Sequence, residues 1–222
     1  MQELLAESRW RPAEVTLVAV SIGPGSFTGL RIGVTAAKTF AYAVGADVLG
    51  ISTLQVIAEQ ARGEFESIVR GGENAAAKSL SQNPKTPTPN PSPEDGGGGP
   101  GRGSRPVICP VVNAERGQVF AGRYAVTGRA ALAPICDVQI LDMASWQESL
   151  QPGDLVTGPA LAKLTLQFPD PIQRADASVW QPHAQTVGEL AWRDYANGRR
   201  DDVWQIVPQY HRLSAAEEKR KE

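Results

Sequence analysis

The spacing of apolar residues predicts a strand–turn–helix–strand–helix order in the first third of the chain. Residues 15–22 are β-branched and almost wholly apolar, which is typical of a strand covered on both faces. The Gly-rich stretch 23–29 predicts a turn, and the periodicity of 28–44 predicts a helix that the following glycine ends. A short strand over 47–50 and a helix over 53–61 follow. This order indicates an α/β unit.

The predicted helix over 28–44 is apolar on two sides. Its small and apolar residues form two stripes, one through Leu30, Val34, Ala37, Ala41 and Val44 and the other through Ile32, Ala36, Phe40 and Ala43. A surface helix normally has one apolar stripe, so the sequence predicts cover on both sides. One cover is a sheet. The other is either a further element of the same domain or a partner protein, and the residues alone favour neither.

The middle of the chain changes in composition. Proline and glycine dominate residues 81–106, where too little apolar surface exists to offset the entropy of the chain. We therefore expect a disordered Pro/Gly-rich insertion over 63–106, which is either a tolerated surface insertion or, less favoured, a polyproline ligand. A second α/β unit is expected over 107–206. Its predicted elements are a β-hairpin from 107–112 and 118–124, strands at 137–140 and 154–156, and helices over 142–149 and 186–197.

Both ends of the chain are expected to be short accessory segments. Residues 1–9 read as the end of a helix in which Leu4, Leu5 and Ser8 share one face, and Pro12 stops it. The tail over 207–222 begins extended and ends in a charged helix that returns to the first domain. The acidic and basic residues at the start do not resemble a secretory signal, so a cytoplasmic protein is expected.

Composition excludes several classes of function. Lys and Arg number 22 against 24 Asp and Glu, so no basic excess exists to neutralise the phosphates of a nucleic acid. No window of the sequence has the length of apolar residues that a membrane span needs. The two cysteines cannot form a disulfide framework, and the two histidines are too far apart for a metal-ligand motif. We therefore expect no metal site and no catalytic residue in this chain.

The turn before the long helix is the most informative segment. Gly23, Gly25, Ser26, Phe27, Thr28, Gly29 and Arg31 lie where a strand meets a helix N-terminus, a place that suits an anion or a nucleotide. The spacing does not fit the dinucleotide fingerprint, the chain has no Gly-Lys pair for a phosphate loop, and Ser26 is not in a nucleophile elbow. Ser26 is therefore expected to cap the helix rather than act as a nucleophile.

Three segments together resemble the bacterial TsaB (YeaZ) family. The run from Gly23 to Gly33, GPGSFTGLRIG, resembles its signature, Val112–Phe120 resembles its hairpin, and Pro208–Arg212 resembles its closing motif. The resemblance covers about residues 1–62 and 107–222. It implies the actin/Hsp70/sugar-kinase (ASKHA, RNase H-like) architecture, with two small α/β domains over 1–62 and 107–206. It also implies that the chain is N-terminally truncated, because the first strands of the family have no counterpart here.

The family resemblance also implies a function. Such proteins take part in forming N6-threonylcarbamoyladenosine (t6A) at position 37 of tRNAs that read codons starting with A. The implied role is a non-catalytic subunit that pairs with the catalytic TsaD, joined by the ATPase TsaE, with ATP and metal on those partners and tRNA met only through the complex. The implied partner-binding residues are Leu4, Leu5, Ser8, Gly29, Leu30, Gly33, Ala36, Ala37 and Phe40.

Two alternatives to this subunit role remain at the level of the sequence. A nucleotide-binding ATPase or phosphotransferase would use the turn from Gly23 to Gly29, and a peptidase is the least favoured because no nucleophile elbow is present. A homodimer through the face expected to meet TsaD also stays open. Asn113 and Glu115 replace the usual Asp and Arg of the family's hairpin turn, which weakens any polar role there.

Overall fold

The computed structural model of the chain describes residues 2–81, 107–127, 131–163 and 172–211. Over these ranges the α-helices are α1 (Gln2–Glu7), α2 (Phe27–Val44), α3 (Thr53–Ser81), α4 (Met143–Glu148) and α5 (Ala184–Ala196). Over the same ranges the strands are β1 (Leu17–Gly23), β2 (Asp47–Ser52), β3 (Ile108–Glu115), β4 (Gln118–Ala121), β5 (Tyr124–Thr127), β6 (Ala131–Pro134), β7 (Gln139–Asp142), β8 (Leu155–Thr157) and β9 (Gln173–Arg174). The predicted α/β class is confirmed.

In the described residues, β1 and β2 form a parallel sheet that lies between two helices. Its register runs from Leu17 opposite Asp47 to Gly23 opposite Ser52. Successive residues of a strand face opposite sides, and β1 shows this directly. Val18 packs with α2 on one side, whereas Ala19 packs with α5 on the other. The apolar run of β1 is therefore explained by burial on both faces.

Side chains take the place of a neighbouring strand along part of β2. The backbone N–H of Gly50 donates to Asp201 Oδ2 at 2.9 Å, and Arg199 Nη2 donates to the Gly50 oxygen at 2.8 Å. Gly50 must be glycine, because a Cβ there would lie 2.7 Å from Ile22 Cγ2 and 3.0 Å from Ile206 Cδ1. This edge of the sheet is thus closed by the residues that follow α5.

The second sheet lies between α3 and α4. Over the described strands its main path is β6–β5–β3–β4–β7, and β8 and β9 add parallel strands beside β3. Residues Ile108 and Val112 of β3 pack with α3, while Cys109 and Val111 pack with Trp146 of α4. The predicted hairpin is confirmed as β3–β4. It is shorter than expected, because the chain leaves the sheet after β4 and Tyr124 begins the separate strand β5.

Helix α3 corrects the predicted start of the insertion. We expected the helix to end near 61 and an unstructured stretch to begin at 63, but the helix continues over 63–81. Phe65 is buried against the second sheet, and Ile68 and Val69 pack at the border of the same cluster. These residues continue the apolar stripe of Ala61 at helical spacing, which outweighs the helix-weakening Gly63. The rest of the predicted insertion, 82–106, lies outside the described residues.

The remaining predicted elements agree with the structure to within a few residues. The C-cap of α2 is Gly45 in the left-handed conformation, with φ of 72°, as predicted. Helix α5 turns Val187, Leu190 and Ala191 inward, as its periodicity indicated. The tail is described as far as His211, and its predicted helix lies outside the described residues.

Candidate partner-binding surface

The turn that leads into α2 is held by close backbone packing. Gly23 has a φ of 119°, and a Cβ there would lie only 3.0 Å from the backbone oxygen of Gln209. Both facts require glycine at this position. The side chain of Ser26 accepts a hydrogen bond from the backbone N–H of Gly29 at 3.3 Å, so the predicted helix cap is confirmed.

The tail of the chain packs onto this turn. The backbone N–H of Gln209 donates to the oxygen of Ile22 at 2.7 Å, and the rings of Phe27 and Tyr210 lie 4.9 Å apart. The guanidinium of Arg31 stacks on the Phe27 ring at 4.7 Å. The structure brings the residues of the predicted anion turn together: Gly23 is buried, Gly25 is half-buried, and Ser26, Phe27, Thr28, Gly29 and Arg31 are exposed.

The side of α2 that faces away from the sheet is exposed and uncharged. We call it the outer face of α2, and it consists of Thr28, Gly29, Ile32, Thr35, Ala36, Thr39 and Ala43. Ile32 is its largest side chain and is 66% exposed. The cation Lys38 lies on the flank of the helix, where its Nζ donates to the backbone oxygens of Trp204 and Ile206 at 3.2 and 3.0 Å. The seven residues of this face carry no charge, and the exposed cation Arg31 borders the face between Thr28 and Thr35.

The predicted partner-binding residues divide by burial. Leu4, Ser8, Gly29 and Ala36 are exposed, whereas Leu5, Leu30, Gly33 and Phe40 are half-buried. Ala37 is only 6% exposed and packs in the core between α2 and the sheet. Its place is therefore corrected from the partner surface to the core. The position of Ala37 on the inner side of the helix, one turn after Val34, is the physical reason.

Known proteins match this chain over nearly its whole length. It is 25% identical over 223 residues to the "tRNA threonylcarbamoyladenosine biosynthesis protein TsaB" of Bacillus subtilis, which covers 99% of this chain and 79% of that protein. A solved structure described as YeaZ from Pseudomonas aeruginosa is similar with a TM-score of 0.62 at 21% identity, covering 94% of this chain and 80% of that chain. This chain is thus similar to the TsaB (YeaZ) proteins over nearly its whole length.

The segment that holds α2 also matches the model of a protein family. Residues 1–79 match the family model described as "TsaD: tRNA N6-adenosine threonylcarbamoyltransferase". The protein of that name from Onion yellows phytoplasma is 41% identical over 54 residues, which are 24% of this chain and 23% of that protein. The segment that matches this family model therefore includes the outer face of α2.

A polar cluster in the second unit surrounds the buried carboxylate of Asp154. The carboxylate of Asp154 is buried and accepts hydrogen bonds from the backbone N–H of Val107 and Gln151 and from Arg123 Nη2, at 2.9 to 3.2 Å. A cavity of about 220 Å³ lies beside it. Burial raises the pKa of the Cys109 thiol far above its usual range, and the Asp154 carboxylate adds to this rise. The thiol therefore stays protonated, and Asp154 anchors backbone amides.

Among the residues that the structure describes, no group of three or more His, Cys, Asp or Glu side chains is placed to hold a metal ion. Within those residues, no helix combines the length and the apolar character that crossing a membrane requires. His211 lies with its ring 6.1 Å from the Phe120 ring, and burial lowers its pKa.

Several exposed residues near α2 were not predicted from the sequence. Ile32 belongs to one of the two apolar stripes but was not named as a partner residue, and Tyr42, Trp204 and Val207 were not singled out. Ile32 could have been found by asking which stripe lacks a sheet to cover it. The tail residues have no periodic pattern, so only their position in the fold identifies them.

Proposed function

We propose that this chain is a subunit, without catalytic groups of its own, of the assembly that forms t6A at position 37 of tRNAs that read codons starting with A. It acts by docking the outer face of α2 onto a TsaD-like catalytic subunit. The observation that carries the proposal is the exposed, uncharged outer face on a helix whose other side is buried. The name of the Bacillus relative supports the pathway.

The composition of the outer face suits contact with another helix. Gly29, Ala36 and Ala43 are small, so a second helix could approach to the short end of the usual distance of about 8–10 Å between axes. Ile32 supplies an apolar anchor, and the threonines can keep hydroxyl contacts with their own backbone. Covering such a surface removes no charge from water, which keeps the cost of desolvation low.

The acidic residues nearest to the sheet support a role without catalysis. Asp201 binds Gly50 and Arg199, Asp47 accepts a hydrogen bond from the Tyr195 hydroxyl at 2.9 Å, and Asp154 holds backbone amides. Each of these carboxylates is engaged in the fold. We therefore assign the metal and the nucleotide chemistry to the partners, a TsaD-like subunit and a TsaE-like ATPase, and expect tRNA to be met only through the complex in the cytoplasm.

The architecture of the family completes the proposal. We assign the β1–α2–β2 unit and the larger sheet to the two α/β domains of the ASKHA architecture, over 1–62 and 107–206, with the tail returning to the first. The hydrogen bond from Gln209 to Ile22 supports the return of the tail. Helix α3 supports a shared boundary, since Val56 packs beneath α5 and Ile57 packs on the second sheet.

The alternative of nucleotide binding at the Gly23–Gly29 turn has less support. Gln209 and Tyr210 lie against that turn, and the Arg31 guanidinium stacks on Phe27. An anion would have to compete with these contacts. The docking role requires no such rearrangement of the chain.

One substitution pair tests the docking role. Ala36→Arg places a cation at the centre of the outer face, whereas Ala196→Arg makes the same change at an exposed position of α5. A buried, unpaired guanidinium costs about 3–5 kcal/mol, so we expect Ala36→Arg to raise the Kd for the TsaD of the same organism by roughly 100-fold or more. Calorimetric titration measures this.

The same two variants can be tested in cells that depend on this chain. Ala36→Arg should lower the t6A content of total tRNA, and Ala196→Arg should leave it at the wild-type level. Equal binding and equal t6A for both variants would refute docking through the outer face. Micromolar binding of ATP by the isolated chain would instead favour the nucleotide-binding alternative.

A further inference from the structure

Exposed apolar side chains form a ridge beside the outer face of α2. We call it the tail ridge, and it consists of Tyr42, Trp204, Val207 and Tyr210. The exposed fraction of these side chains runs from 46% to 69%, and the rings of Tyr42 and Trp204 meet edge to face at 5.2 Å. Exposed apolar residues on a surface that meets only water are usually scattered singly, so a group of four indicates a contact surface.

The tail that carries this ridge is anchored along α2. Lys38 donates to the backbone oxygens of Trp204 and Ile206, and the Ile206 side chain is buried in the core beneath α2. Further along, Gln209 donates to the oxygen of Ile22. With Ile206 turned inward, its neighbour Val207 is held outward. The exposure of the ridge thus follows from a fixed backbone.

The tail ridge borders the outer face of α2. Tyr42 follows Thr39 by three positions and Lys38 by four, so these residues are neighbours on the helix surface. Thr39 belongs to the outer face, and Lys38 holds the tail. A protein that covers the outer face of α2 near its C-terminal half would therefore meet Tyr42 and Trp204 as well.

The outer face of α2 is small for a specific interface. Helix α2 has 18 residues and spans about 27 Å, so one face about 10 Å wide has a footprint of roughly 270 Å², whereas a specific interface buries about 800 Å² per partner. Aromatic side chains bury about 150–250 Å² each when fully covered. The three aromatic residues of the tail ridge, at their exposed fractions, would add roughly as much area as the helix itself.

We propose that the tail ridge is the second half of the docking surface and that the same TsaD-like subunit covers it together with the outer face of α2. This inference rests on the proposed function. The partner must offer an uncharged, apolar surface here, because a charged group facing Trp204 and Val207 would lose its hydration without gaining an ion pair. Trp and Tyr are also the residue types that most often dominate binding energy at the centre of interfaces.

Two tryptophans of the chain make a matched test. Trp204 is 69% exposed beside Tyr42, and Trp192 on α5 is 62% exposed beside Tyr195, with ring centres 6.0 Å apart. Trp192 lies on α5 and Trp204 on the tail beside α2, and these elements pack on opposite faces of the β1–β2 sheet. Truncation of either side chain to alanine removes the same atoms, so their effects can be compared directly.

Five full-length proteins are each titrated against the TsaD of the same organism: the wild type, Trp204→Ala, Tyr42→Ala, Trp192→Ala and Ala36→Arg. We expect Trp204→Ala to raise the Kd about 10-fold or more and Tyr42→Ala to raise it several-fold, while Trp192→Ala stays within about 2-fold of wild type. Trp204→Phe should recover part of the affinity. Thermal unfolding of all variants should remain at the wild-type Tm, because these side chains are exposed.

The outcomes separate this inference from the proposed function. If Ala36→Arg abolishes binding while Trp204→Ala binds like wild type, the docking role stands and the ridge is excluded from it. If the wild-type chain does not bind TsaD, both are refuted. A fall in Tm for Trp204→Ala at unchanged Kd would mean that the chain itself covers the ridge. A loss of self-association at unchanged Kd would assign the ridge to a second copy. Either result would overturn the proposal.

Discussion

Helices α2 and α5 cover opposite faces of the same small sheet, yet their outer sides differ in kind. Both bury aliphatic side chains against the sheet, Val34 and Ala41 from α2 and Leu190 and Ala191 from α5. The outer side of α5 carries polar and apolar groups: the exposed Gln185 donates to Glu189 at 2.8 Å, and Trp192 is exposed beside Tyr195. The outer face of α2 has only uncharged residues, with Ile32 as its largest side chain. The charged and amide groups of α5 stay hydrated in water, whereas the uncharged surface of α2 is suited to cover by protein.

The largest expected effect tests whether the inner sides of the helices alone support the fold. Leu190→Ala removes a buried side chain beneath α5 and should lower the free energy of unfolding by about 2–5 kcal/mol. Ile32→Gln on the outer face of α2 should change it by no more than about 0.5 kcal/mol. Urea unfolding followed by circular dichroism measures both. A comparable loss for Ile32→Gln would mean that the outer face packs within the chain, which would break the comparison.

A smaller effect is expected at the closed edge of β2, which lies between the two helices. Asp201→Ala leaves the Gly50 N–H without its acceptor and removes one of the two carboxylate partners of Arg199, so the free energy of unfolding should fall by about 1.5–3 kcal/mol. Among the hydrogen bonds described, the carboxylate of the neighbouring Asp202 accepts only from the nearby Trp204 N–H. Asp202→Ala should therefore cost less than Asp201→Ala. Equal losses would show that the side-chain closure of β2 adds nothing specific.

The smallest effect concerns the pH dependence of stability through His211, which lies beside Phe120 of β4. Burial lowers the pKa of His211, so the folded chain favours the neutral ring more than the unfolded chain does. The contribution of His211 to the free energy of unfolding is therefore largest above a pH of about 6.5, the pKa of a histidine in the unfolded chain. It decreases as the pH falls below that value, because protonation favours the unfolded chain. The proton resonances of the two histidines, assigned with His183→Asn, report the midpoint. A midpoint for His211 at or above about 6.5 would contradict the expectation.

The periodic part of the fold could be predicted from the sequence. The apolar stripe through Val34 and Ala41 predicts the length of α2. Gly45 predicts its end, because glycine readily adopts the left-handed conformation that closes a helix. The predicted end of helix α3 near 61 is wrong, because Phe65, beyond Gly63, is buried on the second sheet. A residue that weakens a helix locally is overridden when the following turn gains tertiary packing.

The docking surface could be predicted only in part. Both stripes of α2 are equally apolar in sequence, so which one packs on the sheet is decided by the tertiary structure, and Ala37 was assigned to the wrong side. Trp204 and Tyr210 lie in a segment without regular secondary structure, where residue spacing does not indicate direction. Their exposure follows from hydrogen bonds to Lys38 and Ile22, which connect positions far apart in sequence.

The position of Lys38 has a consequence for how quickly a partner is captured. Its ammonium group points at tail oxygens, and the other cation of α2, Arg31, stacks on Phe27. Neither contact neutralises the charge, but a partner surface that is itself uncharged gains no long-range attraction from these cations, and its association rate should be that of neutral surfaces, about 10⁵–10⁶ M⁻¹ s⁻¹. Ionic strength should then change this rate only weakly, because screening acts on the attraction between opposite charges. Selection among candidate proteins would then occur after collision, through the lifetime of the complex.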